Sequence, residues 1–301
     1  MTNTVAVHTE GLTKHYGKVE ALVDLNLDIL RGEIFGFLGP NGAGKTTTIR
    51  TLMDELRPTA GTATIVGLDT HKDSVEIRNH IGYIPGDLAM YPNLTGKDTL
   101  TYFANLRGGV DWTYVDGIAD RLEADLSKKI GDLSTGNRQK VGIIQAFMNK
   151  PQVYMMDEPS AGLDPLVQRE FQSMMKESAA DGATVFLSSH TLSEVQRVAD
   201  RVGIIRTGHL VAVEGVQELR SKAIRRVDLF FDGPADASVF EPIEGVREVE
   251  VRNHHVSLSF DGQMEELLHA ATNSGTLTLT DINSQEADLE EIFLTYYREE
   301  V

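Results

Sequence analysis

A chain of 301 residues can hold one large domain or two ordinary ones, with a core that needs no disulfide or metal staple. It contains no cysteine, which excludes thiol catalysis, thiolate metal centres and disulfides, and its formal charge of −17 is the wrong sign for a nucleic acid backbone as main partner. The longest apolar runs, residues 34–38 and 141–148, fall far short of the ~18 residues of a membrane span, and residues 1–5 begin no secretory signal, so the expectation is a chain made and kept in the cytoplasm.

Residues 5–10 and 25–29 alternate apolar and polar side chains, which predicts half-buried strands. Residues 34–38 are apolar on both faces and predict a buried strand that feeds a glycine-rich loop and a helix from Lys45 to about Glu55. Buried strands are expected again at residues 153–156, 185–188 and 202–205, with helical segments between most of them. That order is a layered α/β domain with its ligand at the carboxyl ends of the strands. Helical runs at residues 97–106, 114–124 and 138–148 read as a helical subdomain, about 87–150, inserted into the α/β core. Phe171, Met174 and Met175 read as the core side of a further helix.

Around Leu219 the organisation changes. Arg220, Lys222, Arg225 and Arg226 form a basic cluster, either a docking patch or a solvated linker face, and the second is the commoner use of such a run. The acidic tail beyond it carries 7 Lys and Arg against 17 Asp and Glu in residues 220–301. It reads as strand (226–231), a short helical or irregular piece, strands (246–251 and 256–260) joined through a turn that takes up His254 and His255, helix (264–271), strand (276–282) and a last helix (286–298). This is a ferredoxin-like βαββαβ order with one extra helix. Two domains are therefore expected, residues 1–219 and a small α+β domain at 220–301.

The chemistry is concentrated in three places. Gly39, Pro40, Asn41, Gly42, Ala43, Gly44, Lys45 and Thr46 satisfy G-x-x-x-x-G-K-[ST] between a buried strand and a helix, the context that phosphate-binding loop requires. Curled backbone N–H groups and a helix N-terminus would cradle a β-phosphate, Lys45 would reach the β- and γ-phosphates, and Thr46 offers a hydroxyl to Mg²⁺. Asp157 and Glu158 stand at the end of a buried strand, where the first would hold the Mg²⁺ shell and the second polarise the attacking water. About twenty residues earlier, Leu133-Ser134-Thr135-Gly136-Asn137-Arg138-Gln139-Lys140 opens a helix with a serine hydroxyl and a glycine, again suited to grip a phosphate.

That last segment resembles the LSGGQ signature of ABC ATPases, and residues from about 5 to 218 resemble the nucleotide-binding subunits of ABC transporters. The resemblance implies a P-loop fold of ABC type with an antiparallel β subdomain and an inserted helical one. It implies ATP and Mg²⁺ as ligands, Tyr16 stacking on adenine, Thr47 beside the phosphate loop, Asp164 in a loop that communicates across a dimer, and His190 touching the γ-phosphate. Glu158, His190 and Lys45 are thus the expected catalytic set. The metal set is Thr46, Asp157 and Asp87. Where the family has a glutamine after the Ile-Gly-Tyr-Ile-Pro stretch, this chain has Gly86 and then Asp87; either Asp87 takes over the Mg²⁺ contact, or a water fills the gap.

Because the family's signature helix closes over ATP held by another subunit, Ser134 and Gly136 are expected to complete the site of a second copy, or of a related ATPase subunit, in a head-to-tail dimer. A separate transmembrane permease is the implied partner, which would place the chain on the inner face of the membrane, with no nucleic acid. Residues 284–293 are similar to the close of the C-terminal domain of bacterial ABC exporter ATPases of the daunorubicin and multidrug-efflux type. An exporter ATPase is therefore the main expectation. The alternatives are an importer ATPase with a ligand-sensing tail and a soluble ABC ATPase acting on ribosomes or DNA.

Overall fold

Two long strands open the chain, β1 (Val5–Tyr16) and β2 (Val19–Leu30), which pair antiparallel and extend well beyond the two short alternating runs in the sequence. The computed structural model describes residues 4–222, 225–273 and 278–285. These belong to two units, residues 1–214 and 215–301.

In the first unit, β3 (Ile34–Leu38) is buried at every position and leads through the glycine loop into α1 (Lys45–Leu52). The helix stops three residues short of Glu55, and Asp54 takes a left-handed conformation there (φ 57°). Then follow β4 (Ala60–Ile65), β5 (Leu68–Asp69), α2 (Ser74–His80) and β6 (Ile81–Ile84), elements with too little periodicity to be read from sequence. The helical segment comes next as α3 (Gly96–Leu106), α4 (Trp112–Arg121) and α5 (Thr135–Phe147). Each begins at a cap made by its own sequence: a Thr95–Asp98 capping box, Asp111 and Ser134. The Asp111 cap starts α4 two residues earlier than its apolar pattern suggests. The remainder is β7 (Val153–Asp157), α6 (Pro165–Ala180), β8 (Thr184–Ser189), α7 (Leu192–Val198), β9 (Arg201–Arg206) and β10 (His209–Gly215), whose last residue falls in the second unit.

These strands make two sheets. One is β2-β1-β4-β5, and the other runs β10-β9-β3-β8-β7-β6, with β9, β3, β8, β7 and β6 parallel. Leu22, Leu25, Leu27 and Ile29 of the first sheet share a core with Phe35, Phe37 and Phe186 of the second and with Ile49 and Leu52 of α1. At about 1.5–3 kcal/mol for each fully buried large side chain, this cluster fixes α1 against the sheet and so sets the loop that precedes it. Phe171, Met174 and Met175 are buried on α6, as expected for core. Across the molecule's helical side, Arg121 of α4 donates to both carboxylate oxygens of Glu177 at 2.7 Å and also to Glu170, which ties α4 to α6.

The second unit contains α8 (Val216–Lys222), β11 (Arg225–Phe231), β12 (Val246–Arg252), β13 (His255–Phe260), α9 (Met264–Asn273) and β14 (Leu279–Gln285). Its sheet has the order β12-β13-β11-β14, and every adjacent pair is antiparallel. Between β11 and β12 there is only a 3₁₀ turn at Ala237–Val239. Gly233, Pro234, Pro242 and Gly245 punctuate that stretch and leave no room for an α-helix. Asn253 and His254 make the β12–β13 turn, while His255 already belongs to β13, where it stacks on Phe230 and binds Asp228 at 2.8 Å. Arg225 and Arg226 of the basic cluster are exposed at the start of β11, and Arg226 donates to Ser257. The expected last helix, 286–298, lies outside the described residues, as does most of the 284–293 segment.

Candidate functional site

The site forms where β3, β7 and β8 end side by side. Gly39 and Gly44 shape the loop after β3 because neither position has room for a side chain. A methyl group on Gly39 would lie 2.4 Å from Ile205 O, and one on Gly44, at φ 113°, would lie 2.5 Å from Ala21 O. Pro40, Asn41 and Gly42 form the exposed crest of the loop, Ala43 is buried beneath it, and Lys45 opens α1. Lys45 is only 5 % exposed, and its ammonium donates to Gly39 O at 2.6 Å and Pro40 O at 3.3 Å.

Opposite stands the acid pair. Asp157, almost fully buried at the end of β7, accepts a 2.5 Å hydrogen bond from the Ser188 hydroxyl of β8. Ser188 also receives the Glu158 N–H, at 3.1 Å on its hydroxyl and 3.3 Å on its carbonyl. Thus one serine holds both acids, a role no motif announces. Glu158 sits in the left-handed region at φ 49°, a strained conformation for a residue with a side chain. The turn carries its carboxylate between the Lys45 ammonium and the His190 ring: Oε1 lies 3.3 Å from Lys45 Nζ, and Oε2 lies 2.7 Å from His190 Nδ1. Oε1 is buried and has no directed hydrogen-bond partner in the described structure. Lys45, Glu158 and His190, three motifs in sequence, are one chain of contacts in space.

A cleft of about 650 Å³ runs from Glu158, lined also by Thr46, Gly86, Asp87 and Asp157 and by Arg50, Glu55 and Tyr83. Burial, reinforced by Glu55 and Asp157, pushes the Tyr83 hydroxyl well above its usual pKa, so it lines the cleft in its protonated form. The Gly86 backbone comes so close to Asp157 that a methyl group there would sit 2.9 Å from Oδ2. A glutamine at position 86 would crowd that carboxylate, whereas exposed Asp87 faces the same cleft. Among the described residues no three His, Asp or Glu side chains form a self-sufficient metal cluster. What the cleft offers instead is hard oxygen on two sides, Thr46 Oγ1 and the Asp157 and Asp87 carboxylates.

The other sequence-selected residues lie elsewhere. Tyr16 is exposed beside Lys14, whose ammonium stands 5.3 Å from the ring centre. Thr47 is on α1 next to the phosphate loop. Ser134 caps α5 by accepting the Asn137 N–H, and Gly136 follows it into the helix. Asp164 caps α6; the backbone N–H of Val167, with that of Leu166, holds its carboxyl below the usual range. None of Tyr16, Ser134, Gly136 or Asp164 lines the cleft that holds Thr46, Asp157 and Glu158.

The chain is similar to known proteins over most of its length. Residues 22–161 match the ABC transporter family. The bacitracin transport ATP-binding protein BcrA of Enterococcus faecalis is 34% identical over 293 residues, covering 95% of this chain and 94% of its own. A solved ATP-binding subunit of an ABC transporter superposes with a TM-score of 0.67 at 32% identity, over 72% of this chain and 92% of that one. A dimeric bacterial ABC transporter cassette shares the fold with a TM-score of 0.65 at 24% identity, over 70% of this chain and 98% of its own.

Proposed function

The chain belongs to the ATP-binding subunits of ABC transporters, and from that premise we propose that it hydrolyses ATP to drive a bacterial exporter of the bacitracin and multidrug type. The observation that carries the reading is the contact chain Lys45–Glu158–His190 at the mouth of a cleft that also holds Thr46 and Asp157. With ATP in the phosphate loop, Lys45 turns from Glu158 to the β- and γ-phosphates. Glu158 is then free to take a proton from water. The water oxygen bonds to the γ-phosphorus as the bond to the ADP oxygen breaks, and His190 keeps the Glu158 carboxylate aimed at that water.

Mg²⁺ suits the residues present. Thr46, Asp157 and Asp87 supply only hard oxygens, and the lining of the cleft sets four carboxylates, Glu55, Asp87, Asp157 and Glu158, against the guanidinium of Arg50. When bound there, the ion neutralises charge on the β- and γ-phosphate oxygens. Thr46, Asp157 and Asp87 would hold it.

Separation of Ser134 and Gly136 from the cleft lined by Thr46, Asp157 and Glu158 favours a head-to-tail dimer in which each copy completes the other's site. Tyr16 remains the reading for the adenine contact. No helix among the described residues is long and apolar enough to cross a membrane, and the partner in this reading is a separate permease chain. Exposed Tyr91 and Tyr102, meeting edge to face at 5.9 Å, and exposed Leu106 give the helical segment an apolar ground for it. For the second unit, the strand order β12-β13-β11-β14 supports the ferredoxin-like reading, with its first crossover reduced to a 3₁₀ turn.

The test is to tag Glu158→Gln in its native cell, trap it with ATP and identify what co-purifies. Turnover should fall at least ~10²-fold with ATP still bound, and a multi-span membrane protein should appear in equimolar ratio. Recovery with ribosomes and no membrane protein would overturn the transporter reading.

A further inference from the structure

The start of α5 and the loop after Glu158 are fastened to each other within the chain. Gln139, one turn into α5 and buried, donates from Nε2 to Pro159 O at 2.8 Å. Beside it Gly136 has no room for a side chain, since a methyl group would fall 2.3 Å from Gly162 O. From the opposite side Gln168 of α6 donates to Leu163 O at 3.2 Å and Ser160 O at 3.5 Å. Residues 159–163 therefore hang between two side-chain amides, one from each helix. Proline has no N–H, so the carbonyl is the one backbone group by which residue 159 can be gripped. It follows directly after Glu158, whose left-handed backbone aims its carboxylate at Lys45 and His190 and needs outside support to persist.

We propose that Gln139 is a positioning residue for hydrolysis: through Pro159 it holds Glu158 in its aimed conformation, and it makes that aim depend on where the α5 N-terminus sits. The second half rests on the reading that Ser134 and Gly136 meet ATP bound by another copy. A nucleotide gripped by α5 in one site then adjusts the base of the other, and hydrolysis is cooperative through a single buried amide.

The experiment uses the full chain. Gln139→Met keeps the length and removes the donor. Its kcat should fall roughly 10- to 100-fold, as expected for a slightly misplaced base, while KM and ADP affinity stay within about twofold. Gln139→Glu supplies the test by recovery. Ionised, the introduced carboxylate faces the Pro159 carbonyl as a second acceptor; protonated, it donates. Its kcat relative to wild type, taken at each pH, should rise as the pH is lowered. Unchanged kcat in Gln139→Met overturns the proposal. So does a loss of kcat matched by an equal loss of ADP affinity, with no recovery at low pH, because that marks Gln139 as a packing residue only.

Cooperativity separates the two halves. Wild type should show a Hill coefficient approaching about 2, and Gln139→Met about 1. If wild type stays monomeric with ATP, the dimer reading fails, while the effect of Gln139 on kcat still stands or falls by itself. If wild type dimerises and the variant keeps its Hill coefficient, the coupling is refuted and the dimer reading survives.

Discussion

Replacing Ser188 by alanine removes the hydroxyl that donates to the buried Asp157 carboxylate at 2.5 Å and accepts the Glu158 N–H at 3.1 Å. A hydrogen bond to a charged group is worth about 1.5–3 kcal/mol. The Glu158 N–H keeps the Ser188 carbonyl at 3.3 Å, so its loss adds little. The first unit should therefore lose about 2–3 kcal/mol, almost all of it through Asp157. With a urea slope of about 3 kcal/mol/M, the midpoint drops by about 0.7–1 M. Trp112 is the sole tryptophan and lies in α4, so its fluorescence reports the unfolding of that unit alone. The same substitution in an Asp157→Asn background should cost less than about 1 kcal/mol. An unmoved midpoint, or an equal loss in both backgrounds, would refute the claim that Ser188 acts by holding that carboxylate.

Gly86→Ala sets a methyl group 2.9 Å from Asp157 Oδ2 and 3.3 Å from its carboxyl carbon. The carboxylate must shift by tenths of an ångström, and the Mg²⁺ concentration for half-maximal ATP hydrolysis should rise several-fold with little change in thermal stability; an unaltered Mg²⁺ titration would remove Asp157 from the metal set. In the second unit, burial raises the Asp228 pKa, but the Ser257 hydroxyl, the His255 ring and Arg226 outweigh it and hold the carboxyl below its ordinary 3.8. Its stabilisation is complete above that value and is withdrawn as the pH falls through the depressed one. Asp228→Asn should flatten the acid limb of the second unit's unfolding curve, followed by histidine NMR signals, and leave the Trp112 transition in place.

Four of the five parallel strands, β3, β7, β8 and β9, are legible because each contains a short continuous apolar run, and β3 and β7 also end at a glycine and an acid. Ile34–Leu38 was readable to the residue for that reason. Residues 60–84 carry no such signal: Ala60–Ile65 is mostly small and polar, and its pairing with β1 comes from a neighbour far off in sequence. The gap between β11 and β12 is ambiguous because Gly233-Pro234 at its start and Pro242 and Gly245 at its end discourage a helix without specifying anything else. At the site, motifs located Lys45, Asp157, Glu158 and His190, but spacing cannot show that their side chains touch. Nor could it reveal Ser188, Gln139 or Gln168. Serine and glutamine on a strand or helix are ordinary residues until a buried carboxylate or carbonyl is placed against them.

The phosphate loop's dependence on Ala21 and Ile205 bears on how the protein is made. Gly39 and Gly44 are pressed against carbonyls from β2 and from β9, which is among the last strands of the unit to leave the ribosome. Until β9 has docked beside β3, one wall of the loop is missing and its N–H groups have no fixed centre to converge on. The segment bearing the strongest nucleotide motif is synthesised early but is finished late, as in any parallel sheet whose central strands come from opposite ends of the sequence. A nascent or truncated chain ending before residue 201 would carry every nucleotide motif and still lack the pocket they describe.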